Sequence, residues 1–344
     1  MACLINNFNY AGYVCEAIQS ALDQATPFSE IIVVDDGSTD DSVQRIRSEF
    51  GNQPVKLIRK PHGGQLSTFA VGIEAATSDW IKFLDADDVL KPDCVQRLTH
   101  ATRICPSVDF LTSDYEWLGT SSGSERTISK RSYDHGLSVV SACLERHWVG
   151  GPTSSLAART CLLRRLLPFP NQSVWKTRAD DVLVLGASLM GAHQYFLGEK
   201  LIYYRVHGEN AFIGQVQSRP EKLRHYLKAA SMVHHYAERE GYDPNALASL
   251  IANEFKTRPR PSWSDLYRYL RMSWSHAPSK LFFGDQFGTI LAHHARQRLS
   301  ALRSGNQQSF STSTAASSTT TANASREVMP ARASGQALLQ GIRT

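Results

Sequence analysis

The sequence has no stretch near the ~20 consecutive apolar residues that a membrane-spanning helix needs. Its opening, MACLINNFNYAGYV, lacks the basic region and apolar core of a signal peptide. The simplest expectation is a cytoplasmic protein. Its six cysteines, Cys3, Cys15, Cys94, Cys105, Cys143 and Cys161, form no CxxC pair, and none stands near histidines at zinc-site spacing. That argues against a disulfide framework or a zinc finger and for free thiols in a reducing compartment, mostly small buried apolar residues. Asn6–Gly12 holds no Lys or Arg, so the basic, glycine-rich loop that would grip a triphosphate is missing. No recognised nucleic-acid-binding module is present, and nucleic acid is not an expected partner.

What is present suits a sizeable core: 344 residues, 42% of them hydrophobic. The net charge of +5 is uneven. Lys256–Arg303 carries nine Lys or Arg against Asp265 and Asp285, a local +7 that leaves about −2 elsewhere. With Trp263, Tyr267, Tyr269, Trp274, Phe282 and Phe283 in the same stretch, it reads either as a surface for an anionic membrane or as a solvated basic helical face.

Apolar patterning over residues 1–115 alternates. Ala2–Ile5, Ile31–Val34, Val55–Ile58, Trp80–Leu84 and Val108–Thr112 read as strands, and Ile31–Val34 as one buried on both sides. Tyr13–Leu22 puts Val14, Ile18, Ala21 and Leu22 on one helical face. Ser38 with Asp41 resembles a capping box for a helix that turns Val43 and Ile46 inward. Gln65–Ala76 is a further helix, and Pro92 fits the first turn of another. Strand and helix in alternation imply an α/β fold with a mainly parallel sheet and helices on both faces. Residues 116–150 are less regular. Residues 219–303 read as helices broken by Pro259, Pro261 and Pro278. From Gly305 the composition (STSTAASSTTTANAS) has too few apolar residues to offset ordering entropy, which predicts a disordered tail. The expected division is 1–215 catalytic, 216–304 helical extension and 305–344 tail.

Four motifs carry chemistry. Asp35-Asp36-Gly37-Ser38-Thr39-Asp40 follows the Ile31–Val34 strand, where open parallel sheets bind ligands, although a strand-to-helix turn favours the same residues. Phe83-Leu84-Asp85-Ala86-Asp87-Asp88 ends another strand with three carboxylates in four residues. Their mutual repulsion is relieved by a divalent cation, Mn²⁺ or Mg²⁺, that also binds a diphosphate. Arg178-Ala179-Asp180-Asp181 opens the helical stretch Val182–Leu189, where a carboxylate can take a proton from a hydroxyl, cap the helix, or do both. In Tyr204-Arg205-Val206-His207-Gly208, His207 is a candidate metal ligand, or Arg205 and His207 face phosphates.

Together these segments, in this order, resemble the family 2 glycosyltransferases, inverting enzymes of the GT-A fold, from about Cys3 to Ala211. Asn6–Tyr10 resembles the family's opening strand and turn, IIVVDDGSTDDS its nucleotide-binding strand, Gly63-Gly64-Gln65-Leu66-Ser67 the stretch before the donor site, and FLDADD its DxD motif. The resemblance implies a nucleotide-diphospho-sugar donor. Asp36, with Asp35, would lie at the nucleobase, and Asn6 and Phe8 would line that pocket. Gly64 and Gln65 would belong to the donor site, Asp85 would hold the ribose, Asp87 would ligate the metal, and His207 would join it. Asp181 would be the catalytic base; the family often has Glu-Asp where this chain has Asp180-Asp181, which leaves the base open between the two. The QxxRW pattern of processive synthases is absent, so single additions to a sugar or lipid-linked acceptor are expected, in cell-surface polysaccharide or glycolipid synthesis, with the enzyme peripheral to the inner face of the membrane. The rivals are a sugar nucleotidyltransferase and a catalytically silent sugar-nucleotide-binding protein.

Overall fold

A computed structural model describes residues 1–119, 131–170, 172–208, 218–276 and 280–318. The chain alternates strand and helix as patterned: β1 (Ala2–Asn7), α1 (Val14–Leu22), β2 (Glu30–Asp35), α2 (Ser42–Phe50), β3 (Val55–Arg59), α3 (Gln65–Ala75) and β4 (Trp80–Asp85). There follow β5 (Val89–Leu90), α4 (Cys94–Ile104), β6 (Phe110–Leu118), β7 (Tyr133–Gly136), α5 (Val139–Glu145), β8 (Leu156–Arg159), α6 (Thr160–Leu166), α7 (Ala179–Leu189) and β9 (Gln194–Arg205). Five helices close the described chain: α8 (Arg219–Arg239), α9 (Pro244–Ser249), α10 (Ile251–Lys256), α11 (Trp263–His276) and α12 (Lys280–Ser318).

Among the described residues the strands form one sheet ordered β3-β2-β1-β4-β8-β6-β9-β5, with β7 on β9. The first four strands are parallel. β8 then runs antiparallel to both β4 and β6, while β6 and β9 are parallel to each other. The carboxyl ends of β1, β2, β4, β6 and β9 therefore lie along one edge of the sheet. That edge carries every motif singled out above except the start of α7, which packs against it.

Strand pleating sends alternate residues to opposite faces. On one face Ala2, Leu4, Ile32 and Val34 meet α3, α6, α7 and α8 through Phe69, Leu163, Val182 and Tyr236. On the other, Cys3, Ile5, Ile31 and Val33 meet α1, α2 and α4 through Ile18, Ile46 and Leu98. Truncating a fully buried Leu4 to Ala should cost about 2–5 kcal/mol. A third apolar cluster joins Val140 of α5 to Phe255, Leu266, Tyr269, Met272 and Ile290.

Several expectations change in detail. Ser38 does not cap α2. Its hydroxyl donates to Asp35 and accepts from Asn7 Nδ2 (3.1 Å) and the Asn9 amide (2.9 Å), so it ties the ends of β1 and β2 together. The helix starts at Ser42 behind Asp41, which makes no side-chain cap bond. Pro92 lies just before Asp93, the residue that precedes α4, rather than inside the helix. Contacts divide the chain into Met1–Gln297 and Arg298–Thr344, so the helical stretch from 219 to 297 shares one compact unit with the catalytic segment. In the second unit residues 298–318 are helical. Residues 305–318 thus differ from the expected disorder, because a helix satisfies its backbone bonds internally whatever its side chains bury. Residues 319–344 lie outside the described residues, as does Pro278. All six cysteines are free thiols, four of them buried, with Cys143 partly so and Cys161 exposed on α6. Among the described residues, no helix is long and apolar enough to cross a membrane.

Candidate active site

The aspartates at the end of β2 are occupied by the protein itself. Asp35 is fully buried and accepts from Asn7 Nδ2 at 2.8 Å and from the Ser38 amide at 3.1 Å. Asp36, 3% exposed, accepts from the backbone amides of Gly63 (2.9 Å) and Gly64 (2.8 Å). It also pairs with Lys60 Nζ and lies 3.0 Å from His62 Nδ1. Three donors, Lys60 and the Gly63 and Gly64 amides, already hold the carboxylate with the His62 ring beside them, so a nucleobase reaching Asp36 would have to compete with them. This bonding shapes the 60–64 loop. Gly64 takes φ +91°, and a Cβ there would fall 2.5 Å from the Lys176 backbone, so only glycine fits. Phe8 stands at the rim, 39% exposed and stacked on the His62 ring at 4.3 Å.

The end of β4 is different. Carboxylate oxygens of Asp85, Asp87 and Asp88 lie within 4.8 Å of one another. Asp88 is buried and accepts from the Arg205 amide (2.8 Å), holding the end of β9. Asp85 faces inward, bonded by Gln65 Nε2 (3.0 Å) and by the Asn6 side chain. Burial and the neighbouring Asp87 charge push its carboxyl up to about 7, against those two donors. His207 reaches Asp87 Oδ2 from the end of β9 at 3.0 Å. Its ring stacks on Tyr13 at 4.8 Å and meets Tyr10 edge-on at 5.9 Å. The structure therefore places His207 against Asp87, which lies in one carboxylate cluster with Asp85. The donor set of carboxylates with one imidazole suits Mn²⁺ or Mg²⁺. Among the described residues Asn6 Oδ1 and Asp88 Oδ2, both buried here, have no hydrogen-bond partner. Such oxygens are places for a hydrated cation to be bound.

The two aspartates opening α7 divide. Asp181 is buried, ion-paired to Arg178 Nε (3.1 Å) and 3.3 Å from His225 Nε2, whose burial lowers its pKa; its Oδ2 has no hydrogen-bond partner among the described residues. Asp180 is partly exposed, and its Oδ1 accepts only from the Asp181 amide (3.1 Å) among its hydrogen bonds on the described residues. Burial, then the Asp181 charge, pushes its carboxyl up to about 7, partly offset by Arg178, and its own charge adds to the repulsion felt by Asp85.

Gln65 connects these groups. Its Nε2 donates to Asp85 while its Oε1 accepts from the Ala179 amide (3.1 Å) at the start of α7. The family resemblance placed Gln65 in the donor stretch but gave no sign of this bridge. Nor did it single out Ser154, whose Oγ accepts from the Asp85 amide (2.9 Å), or Lys82, a fully buried lysine of β4 that pins the Ser154 carbonyl from below. Tyr115 and Trp117 of β6 and Tyr204 of β9 form an aromatic wall, the Tyr204 ring 5.4 and 5.5 Å from the other two. Burial, then Asp85, Asp88 and Asp87, pushes the Tyr204 hydroxyl pKa up.

A parallel nucleotide-binding half-sheet, a DxD turn at the end of its fourth strand and a helix-borne aspartate facing that turn define a GT-A-type glycosyltransferase. The structure of S. aureus TarS in complex with UDP-GlcNAc has this fold, with a TM-score of 0.57 at 15% identity over 88% of this chain and 91% of that one. The model of glycosyl transferase family 2 matches residues 3–103. An uncharacterised glycosyltransferase of Nostoc sp. is 32% identical over 244 residues, 68% of this chain and 73% of that protein. The chain belongs to glycosyl transferase family 2. It is also 37% identical over 90 residues to the chondroitin synthase of Pasteurella multocida, a match that covers 26% of this chain and 9% of that far longer protein.

Proposed function

We propose that the chain transfers a sugar from a nucleotide-diphospho-sugar to an acceptor hydroxyl with inversion, and that Asp180 is the base. The observation that carries this reading is the contrast at the start of α7: Asp181 is buried and ion-paired to Arg178, while Asp180 is partly exposed, lacks a cationic hydrogen-bond partner among the described residues and has its carboxyl raised to about 7. A carboxylate of that kind is the better general base. Phe8 and His62 offer a stacked surface for the nucleobase, and Asp85 lies where the ribose would be held. Asp87 and Asp85, with His207, would hold a divalent cation, which when bound supplies positive charge against the leaving diphosphate. Asp180 takes the acceptor proton, the freed oxygen bonds the anomeric carbon from the opposite face, and the bond to the diphosphate breaks with its electron pair.

The aromatic wall of Tyr115, Trp117 and Tyr204 lines the approach for the acceptor, which we take to be a growing cell-surface polysaccharide or glycolipid. α11 presents Trp263, Tyr267 and Trp274, 66%, 72% and 68% exposed, along one face, and this face suits reversible docking on the anionic inner surface of a membrane. The test is a transfer assay across nucleotide-sugars with and without Mn²⁺, with the anomeric configuration of the product read by NMR. Retention of configuration, or turnover indifferent to Asp180→Asn, would overturn the assignment.

A further inference from the structure

A second cluster of ligating groups lies at the other end of the sheet. β6 and β9 start there, at Phe110 and Gln194, and run parallel toward the donor edge. Cys105 follows α4, Asp134 lies in β7, and His193 immediately precedes β9; their ligand atoms all fall within 4.8 Å of one another. His193 Nε2 is 2.7 Å from Asp134 Oδ1. Cys105 Sγ is 3.9 Å from that nitrogen and 4.0 Å from Asp134 Oδ2.

We propose that Cys105, Asp134 and His193 form a binding site for a thiophilic divalent cation, with Zn²⁺ the best match. Zinc bonds sulfur, nitrogen and oxygen at about 2.0–2.3 Å in a tetrahedron, which spaces ligand atoms roughly 3.3–3.6 Å apart. The sulfur distances here are a few tenths of an ångström long and the nitrogen–oxygen distance somewhat short, differences within reach of small side-chain rotations. An ion pair alone would explain His193 beside Asp134. It would not explain a thiol, 8% exposed, held against both of them.

The orienting contacts of a metal site are already in place. His193 Nδ1 bonds Ser107 Oγ at 2.9 Å, which turns Nε2 toward the cluster. Asp134 Oδ1 accepts from the Gly136 amide at 2.8 Å. The Asp134 and His193 side chains are 22% and 20% exposed, which leaves an entry path and room for a water as fourth ligand. The soft sulfur distinguishes this site from the oxygen-rich cluster at Asp85 and Asp87. Bound there, the cation would staple β7 to the end of α4 and the start of β9.

The test uses the full chain stripped with a chelator and titrated with Co²⁺ and then Zn²⁺. Co²⁺ should give a thiolate-to-cobalt charge-transfer band that one equivalent of Zn²⁺ abolishes, and Zn²⁺ should raise the melting temperature. Cys105→Ser should lose the band, and His193→Gln should weaken Zn²⁺ binding by more than about tenfold. Asp87→Ala should keep the band, so the outcome is independent of the proposed glycosyl transfer. A wild-type chain without the band, or a band that persists in Cys105→Ser, overturns the proposal, and the wild-type result stands even if a variant fails to fold.

Discussion

Two strand ends on the same edge of the sheet, with β1 between them, treat their aspartates in opposite ways. At the end of β2, Asp35 and Asp36 are saturated by protein donors: two amides and a lysine around Asp36 alone, with a histidine beside them. At the end of β4 and the start of α7, the carboxyls of Asp85 and Asp180 are raised first by burial and then by an adjacent carboxylate, Asp87 for the one and Asp181 for the other. The same residue type is scaffold in one place and chemistry in the other. The difference lies in how many N–H groups the surrounding backbone supplies.

The sharpest way to break this comparison is Asp87→Ala. It should take transfer below detection and remove Mn²⁺-dependent nucleoside diphosphate binding while leaving the fold intact, since it removes one of several crowded charges. Unchanged turnover would mean that this cluster is not the donor site. Next in size, Asp180→Asn should slow transfer by ~10²–10⁴-fold with donor affinity near wild type. Asp181→Asn should cost far less in rate but about 1–3 kcal/mol in stability, because it leaves Arg178 and His225 without their anion. The reverse pattern in single-turnover kinetics would return the base to Asp181.

Asp36→Asn tests the saturated side. It should lower stability by about 1–3 kcal/mol, since an amide cannot accept from every donor that a carboxylate does. Donor KM should rise with kcat little changed, because the 60–64 loop would lose its anchor. Denaturant unfolding that matches wild type would show that the loop does not depend on this carboxylate.

A subtler test is the pH profile. A base must be ionised, so kcat/KM should fall as pH drops through about 7, where Asp180 takes up its proton. Asp181→Asn removes the repulsion that raises Asp180 and frees Arg178 beside it, so the acid limb should move to lower pH. A limb that stays in place would show that another group controls it.

Much of this was legible in the sequence. The strand runs and turn motifs placed Asp36, Asp85 and Asp87 at strand ends, because strand ends are marked by local residue patterns, and the family resemblance added His207. Which of two adjacent aspartates is reactive was not legible. Successive helical residues point about 100° apart, and the difference in surroundings between Asp180 and Asp181 comes from Arg178 and the distant His225, which only the fold brings near. The C-terminal charge count hides a similar distinction. Arg258 is fully buried against Tyr269 and Asp265, so its share of the local +7 does not face solvent, and Arg271, though exposed, is paired with Glu145.

That distinction shapes the smallest expected effect. Truncation before Lys256 would remove Phe255's partners Leu266, Tyr269 and Met272 from the third core, and so cannot isolate a surface role. Replacing Trp263, Tyr267 and Trp274 with Ser leaves that core in place. The variant should lose salt-sensitive co-sedimentation with anionic vesicles, whose attraction is about 1 kcal/mol per exposed basic residue. Equal recovery in the supernatant for wild type and variant at every salt concentration would retire the membrane surface.

Gln65 has one donating and one accepting end, and each meets its opposite, a carboxylate on one side and a backbone amide on the other. The joint is therefore polarised like a plug in a socket. Glutamate offers no hydrogen to Asp85, lysine offers no lone pair to Ala179, and an amide rotated end for end satisfies neither. One orientation of this amide ties the Asp85 carboxylate to the start of the helix that bears Asp180, so a single side chain carries a directional link from β4 to α7.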